Sequence, residues 1–429
     1  MKIPHVLTLL AAVSLSVVPA VFATLPVVSN VTASQRAGTK IVDIHYDVAD
    51  ADGDTLKIRV EVSDDAGVHY SIPAFSLTGA IGDNIVAGTG KVIVWDASVD
   101  WDGEYSDKMR VKVIAVDGKG LPGLEWGSEV PAGGFLMGQD GGAEGTGPSR
   151  HVNIPWSYWL SKYEVTNDQY CEFLNTALVA GEVTRTGTTD VKAVVNKFTG
   201  VPANGLLLKI GDAYDIAWNV NNFEVVGGRG NRPVSVSWYG AIAFAQHYGY
   251  DLPTTAEWEK AARGPDHDDQ DEHQLYPWGD TISNGHANYQ GSADPFEDAS
   301  TYTWLLSEKA PVGYFNGNQV PFGPNTVNAH GLYDLIGNVA EWTRSIDSTI
   351  ESYSQLESLA AVNNSLTDSS GYRLTRGGSY ADWRNGAVYD KIFMIYTRVK
   401  AGVGDYGYSN NYGYSNLPLV GFRVIRRAP

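Results

Sequence analysis

The sequence predicts an α+β protein, an all-β N-terminal region followed by a mixed domain with few helices and long ordered loops. Three observations carry this expectation. Between residues 24 and about 120, four stretches alternate apolar and polar residues, the period of strands with one buried face. Beyond about residue 131, three stretches change to helical spacing between caps. Finally, 47 Gly, 24 Tyr and 12 Trp stand against only 19% charged residues, a composition in which aromatic side chains pin irregular backbone.

The chain opens MKIPHVLTLLAAVSLSVVPAVFA, with Lys2 before an apolar run from Val6 to Val18 and a small-residue pattern at Val21-Phe22-Ala23. This reads as a signal peptide of residues 1–23, cut after Ala23, so a secreted or periplasmic product is expected. The run is too short for a comfortable membrane span, and no other stretch is apolar enough to be one.

Within residues 24–120, KIVDIHYDV (40–48), LKIRVEVS (56–63), KVIVWDA (91–97) and MRVKVIAVD (109–117) are the four alternating stretches. Short strands at this spacing point to an immunoglobulin-like β-sandwich. DADGD (50–54) has the opening of a calcium loop, but Thr55 stands where that loop needs glycine, so a hairpin turn is expected there. The Gly/Pro-rich stretch 118–134 sets a linker at 121–130 and a second domain at 131–429. Its expected helices are EVTNDQYCEFLNTAL (164–178, capped by Thr166 or Asn167), SWYGAIAFAQHYG (237–249) and TTAEWEKAARG (254–264, capped by Thr254 or Thr255 and closed by Gly264).

The net charge of −18 repels phosphate backbones and anionic lipid, which argues against nucleic-acid partners. It suits Ca²⁺ or a basic partner, and equally a plain solubilising surface. Cys171 is the only cysteine, so no internal disulfide can form. No G-x-S-x-G elbow, phosphate-binding loop, dinucleotide fingerprint or zincin helix is present.

From about 131 to 427, nine blocks occur in order: GGFLMG (133–138), YEVTNDQYCEF (163–173), RPVSVSWYGAIAFA (232–245), LPTTAEWEKAARG (252–264), YPWGD (276–280), APVGYF (310–315), HGLYDLIGNVAEWT (330–343), RGGSY (376–380) and GFRVIR (421–426). This series resembles the formylglycine-generating enzyme, or sulfatase-modifying factor, family. The resemblance implies that family's C-type-lectin-like fold, and the preceding sandwich resembles a module often attached to it in secreted bacterial proteins.

In the oxygen-using members of the family, two cysteines after the GGSY element bind copper and oxidise a substrate cysteine. That chemistry needs sulfur, since soft thiolates select Cu(I) where carboxylates and amides do not. Mapped here, the two catalytic positions fall on Asp382 and Ala387, and Ala340 replaces the usual tryptophan of G-N-x-W-E-W. A pseudoenzyme is therefore expected, with no copper. The local histidine cluster HDDQDEH (267–273) reads as a solvated loop rather than a substitute iron site.

The resemblance also implies structural calcium. Asp334 and Glu341 would supply carboxylates and Gly337 and Val339 carbonyls, the mixture a hard cation favours. A second site would use Asn288 and the Tyr289 carbonyl, completed by Asp294 or Asp298. The binding groove is expected at Ser379, Tyr380, Trp383 and Arg384. DYGYSNNYGYSN (405–416) is expected to add Tyr406, Tyr408, Asn410, Asn411, Tyr412 and Tyr414, a composition suited to recognition and equally to a loop packed on its own domain. The expected function is a calcium-stabilised binding domain for a peptide, protein or glycan. The alternative is a divergent oxidoreductase with Asp382, Ser379 and Arg384 near its centre.

Overall fold

The computed structural model describes residues 26–428, apart from 51–52, 54, 65, 67–71, 73, 117–120, 122–123, 140–148, 196, 212–213, 265–273, 298–307, 347–371, 383–398 and 403–418. Within the described residues the protein is mostly β, with four helices.

The N-terminal region carries β1 (Val27–Gln35), β2 (Ile41–Ala49), β3 (Thr55–Ser63), β4 (Leu77–Gly79), β5 (Gly82–Val86), β6 (Gly88–Asp96), the short α1 (Ala97–Asp100) and β7 (Arg110–Val116). They form two sheets, ordered β1-β2-β6-β4 and β5-β3-β7. The alternation sets which face is buried: Ile44, Tyr46 and Val48 from β2, Leu56, Ile58 and Val62 from β3 and Trp95 from β6 join one hydrophobic cluster. The 50–54 connection differs from the expected hairpin. β2 pairs with β1 and β6, while β3 pairs with β5 and β7, so the two strands belong to different sheets and do not pair with each other.

The stretch 121–130 is fastened to the second region rather than hanging free between the two. Leu121 joins that region's main core, Gly127 donates to the Leu160 carbonyl and Val130 bridges Tyr158. Then come β8 (Gly133–Met137), β9 (Arg150–Ile154), β10 (Tyr158–Leu160) and α2 (Asn167–Val179). An insertion of short strands comes next: β11 (Val183–Thr186), β12 (Asp190–Ala193), β13 (Leu206–Lys209), β14 (Ile216–Asn219) and β15 (Asn222–Val225). The chain continues with α3 (Trp238–His247), α4 (Thr255–Arg263), β16 (Ala340–Ile346), β17 (Tyr372–Arg376), β18 (Val399–Gly402), β19 (Val420–Gly421) and β20 (Ile425–Arg427).

The three expected helices form where their caps place them. Thr166 and Thr254 make capping boxes with Gln169 and Glu257, and Ser237 accepts from the Gly240 amide. The apolar face of α2 packs on α3, where Tyr170 stacks on Phe244 with centroids 5.7 Å apart. α4 is buried on every side, its charged residues included, between a second core and the sheet ordered β18-β17-β16-β19. The closing β20 pairs with β10, tying the end of the chain back to the start of this region. No described helix is long and apolar enough to cross a membrane.

Candidate functional site

The turn entering β16 is the hub of the site. Asp334 and Asn338 both adopt positive φ, 55° and 59°, which only a strongly determined turn sustains. Gly337 has φ 77°, and a Cβ there would lie 2.4 Å from the Asn288 carbonyl oxygen, so a side chain has no room. The Asn338 amide donates to that same carbonyl at 2.8 Å, and Gly337 donates to Gly377 at 2.9 Å. The Tyr380 amide then donates to the Asn338 carbonyl at 2.8 Å. Three segments far apart in sequence, 288–290, 334–341 and 377–382, thus meet.

Three buried carboxylates lie around this turn. Glu341 takes Arg423 Nε at 2.9 and 2.7 Å and Nη2 at 2.6 Å, with Trp258 Nε1 at 2.6 Å. Glu164 accepts from Asn338 Nδ2 at 2.8 Å and the Val339 amide at 3.2 Å. Asp334 accepts from the Gly313 amide at 2.5 Å. Burial pushes the Asp334 carboxyl up to about 6. It pushes Glu164 well above the usual range, helped by the Asp334 and Glu341 charges. Three carboxylates thus face the single guanidinium of Arg423.

Among the described residues, no group of three or more His, Cys, Asp or Glu side chains is set to hold a metal by side chains alone. A cation here would need backbone carbonyls as well, as in the ligand set expected from the sequence. The all-oxygen donors and the excess of buried negative charge fit a hard ion such as Ca²⁺ and do not fit Cu(I). Because each Glu341 oxygen already takes two contacts from Arg423 and Trp258, while each Glu164 oxygen takes one, the spare acceptor capacity lies on Asp334 and on Glu164. Glu164 was not singled out in the sequence. It stands in the EVTN block, and its partner Asn338 is 174 residues away.

The second set of expected calcium ligands is adjacent. Asn288 Nδ2 donates to the Glu308 carbonyl at 2.9 Å and to Asn338 Oδ1 at 3.4 Å, and Tyr289 is buried beside it. Asp294 is engaged in its own turn, accepting from the Phe296 amide and the Ser292 hydroxyl, both at 2.8 Å. Asp298 lies outside the described residues.

After β17, Gly377 has φ 88° and sits where a Cβ would lie 2.6 Å from the Leu335 carbonyl oxygen. The chain then closes a turn on Asp382. Asp382 Oδ2 accepts from the Ser379 amide and hydroxyl, each at 2.8 Å. Its amide donates to the Ser379 carbonyl at 3.1 Å, and its carbonyl accepts from Gln290 at 3.0 Å. Asp382, expected from the sequence to stand at the family's first cysteine position, is therefore buried and closes a turn. Ser379 and Tyr380 were expected to line a groove, but both are buried, and Tyr380 packs in the main core with burial raising its hydroxyl pKa. Trp383, Arg384, Ala387, the 405–416 loop and 267–273 lie outside the described residues. Cys171 is buried in α2, its thiol pushed up to about 12 by burial.

The sulfatase-modifying factor enzyme 1-like domain matches residues 127–428, most of the chain and all of this hub. The chain belongs to the sulfatase-modifying factor family. Among relatives, the formylglycine-generating enzyme of Mus musculus is 29% identical over 272 residues, 58% of this chain and 65% of that protein. The match therefore spans just under two thirds of that enzyme. The inactive C-alpha-formylglycine-generating enzyme 2 of Mus musculus is 31% identical over 232 residues, 50% of this chain and 67% of that protein. Among solved structures, that of PvdO from Pseudomonas aeruginosa aligns with a TM-score of 0.41 and 18% identity, covering 70% of this chain and 93% of that one.

Proposed function

We propose that this chain is an exported family member without copper oxidase activity. It would be a binding domain for a peptide, protein or glycan, stabilised by calcium, with a C-type-lectin-like fold behind an immunoglobulin-like module at 24–120. The observation that carries the loss of oxidation is Asp382. Where the family's first cysteine would place a thiolate, a carboxylate holds the Ser379 turn through its Oδ2. The remaining thiol, Cys171, belongs to the packing of α2 and is held protonated. The similarity to a relative named as inactive agrees with this reading.

For calcium, the support is the excess of buried carboxylate around Asp334. Asp334, Glu164 and the carbonyls of Gly337 and Val339 would hold the ion. It would supply the positive charge that Arg423 alone does not, and stabilise the folded state by binding it selectively. The three meeting segments would then be held rigidly to one another. The divergent oxidoreductase has less support: Ser379 Oγ donates to Asp382 within the turn that the two residues close.

The test is direct. The mature protein is incubated with copper, oxygen and a Cys-x-Pro-x-Arg peptide, and the products are read by mass spectrometry. No aldehyde above a heat-treated control is expected, and turnover above it overturns the reading.

A further inference from the structure

A second surface lies on the loops around 229–232 and 308–322, the outer side of a segment whose Ala310 and Gly313 amides donate to Asn338 and Asp334 of the carboxylate hub. Val312 donates to the Asn231 carbonyl at 2.9 Å and joins the two loops. Here Glu308, with its side chain 46% exposed, lies between two guanidinium groups. Arg232 Nη1 is 2.7 Å from Oε2, and Arg229 Nη2 is 3.9 Å from Oε1. Arg229 also reaches Asp215 at 3.4 Å, but that carboxylate is paired with the buried Lys309. With the Asp168 carboxylate lying against Gly230, three cations meet three carboxylates, and of these Glu308 is the exposed one between the two arginines, whose place an incoming carboxylate can take.

An apolar ridge continues this surface. The Arg232 guanidinium lies 5.9 Å from the Phe296 ring centroid, and Phe296 meets Tyr314 edge-on at 5.0 Å. Tyr314 Oη accepts from the Val320 amide at 3.1 Å, fixing the start of a tip that displays Val320, 63% exposed, and Phe322, 85% exposed. That tip is held from beneath. Gln319 Nε2 donates to the carbonyls of Gly285 and Pro324, both at 2.7 Å. Rigid aromatic side chains beside arginine are the composition of interface hot spots, and ordering them in advance lowers the entropy lost on binding.

We propose that this surface docks a polypeptide segment presenting a carboxylate beside an aromatic or aliphatic side chain. The incoming carboxylate takes the place of Glu308 between Arg229 and Arg232, and the apolar side chain lies against Tyr314, Val320 and Phe322. Glu308 then acts as an internal competitor. This rests on the reading of the chain as a binding domain and names the ligand chemistry; the oxidase assay is independent of it.

The probes are a fluorescein-labelled peptide of alternating Glu and Phe and its Lys-for-Glu counterpart, titrated by anisotropy at low and high salt. The acidic peptide is expected to bind in a salt-sensitive way and the lysine peptide more weakly. Loss of a charge-assisted pair in Arg232→Gln should weaken binding about tenfold. Phe322→Ser should weaken it severalfold, while Glu308→Gln should tighten it severalfold by releasing both guanidinium groups. Thermal melts of the three variants control for folding. No binding, equal binding of the two peptides, or a Glu308→Gln variant that binds no more tightly overturns the proposal.

Discussion

Two buried charge centres flank α4 and carry opposite imbalances. At one, the single carboxylate of Glu259 meets Arg263 at 2.8 Å and Arg376 at 2.9 Å, and the spare guanidinium N–H groups reach the carbonyls of Gly138 and Thr255. At the other, Glu164, Asp334 and Glu341 share the one guanidinium of Arg423. An excess arginine can be satisfied by neutral carbonyls, which any loop supplies. An excess carboxylate needs donors, and most backbone N–H groups are already spent on secondary structure. The cation-rich centre is complete as it stands. The anion-rich one calls for a proton or a metal.

The largest effect should come from removing the only counter-charge of the anion-rich centre. Arg423→Met strands Glu341 without its bidentate partner and should cost roughly 3–5 kcal/mol in urea unfolding. Arg376→Met leaves Glu259 still paired with Arg263 and should cost less, about 1–3 kcal/mol. Equal losses in the two variants would break the contrast.

Calcium should act on the anion-rich centre alone. At a hundredfold excess over its dissociation constant it should add about 2.7 kcal/mol to stability. A chelator should remove this gain, and Asp334→Asn should abolish it while Glu259→Gln leaves it in place. Identical melts with and without chelator, in wild type and variant alike, would discard the ion.

A pH titration sharpens the same contrast by a smaller amount. In chelator, burial holds the Asp334 carboxyl at about 6, above its unfolded value. At this group the folded state therefore binds more protons than the unfolded one between these values, so the contribution of Asp334, read as the difference from Asp334→Asn, falls as pH rises from about 4 to 6. The expected loss is on the order of 2 kcal/mol, and calcium should flatten the slope by holding the carboxylate ionised. An identical slope in wild type and Asp334→Asn in chelator would show that Asp334 is already compensated.

Much of the fold was legible because its signals are local. Thr166, Ser237 and Thr254 announce their helices by capping chemistry, and the alternation of β2 and β3 announces their buried faces. Alternation does not name a strand's partner, so the placing of β2 and β3 in different sheets was unreadable. The small sheets of β11 to β15 have strands of four residues, too short for any period to emerge. α4 presents Glu257, Glu259, Lys260 and Arg263 in the pattern of a solvated face, yet all four are buried because partners from distant segments reach them. Gly337, Asp334 and Glu341 were legible through the family blocks. Glu164 and Arg423 stood inside quoted blocks, but their roles depend on partners that local sequence does not specify. The burial of Tyr380 was hidden for the same reason.

The smallest effect concerns the one thiol. Cys171 sits on α2 near Asn175, inside the main core, where burial and the nearby Asp168, Glu172 and Glu224 charges push it up to about 12. At pH 8 roughly one molecule in ten thousand then carries the thiolate, the reactive form. A maleimide should therefore leave the folded protein unlabelled for hours and label it at once in denaturant. Cys171→Ala should cost only about 1 kcal/mol, the loss of one small buried group, and should change neither the calcium response nor the binding of any peptide. Rapid labelling of the native state would place this thiol in a reactive setting. It would thereby count against the proposed loss of sulfur chemistry.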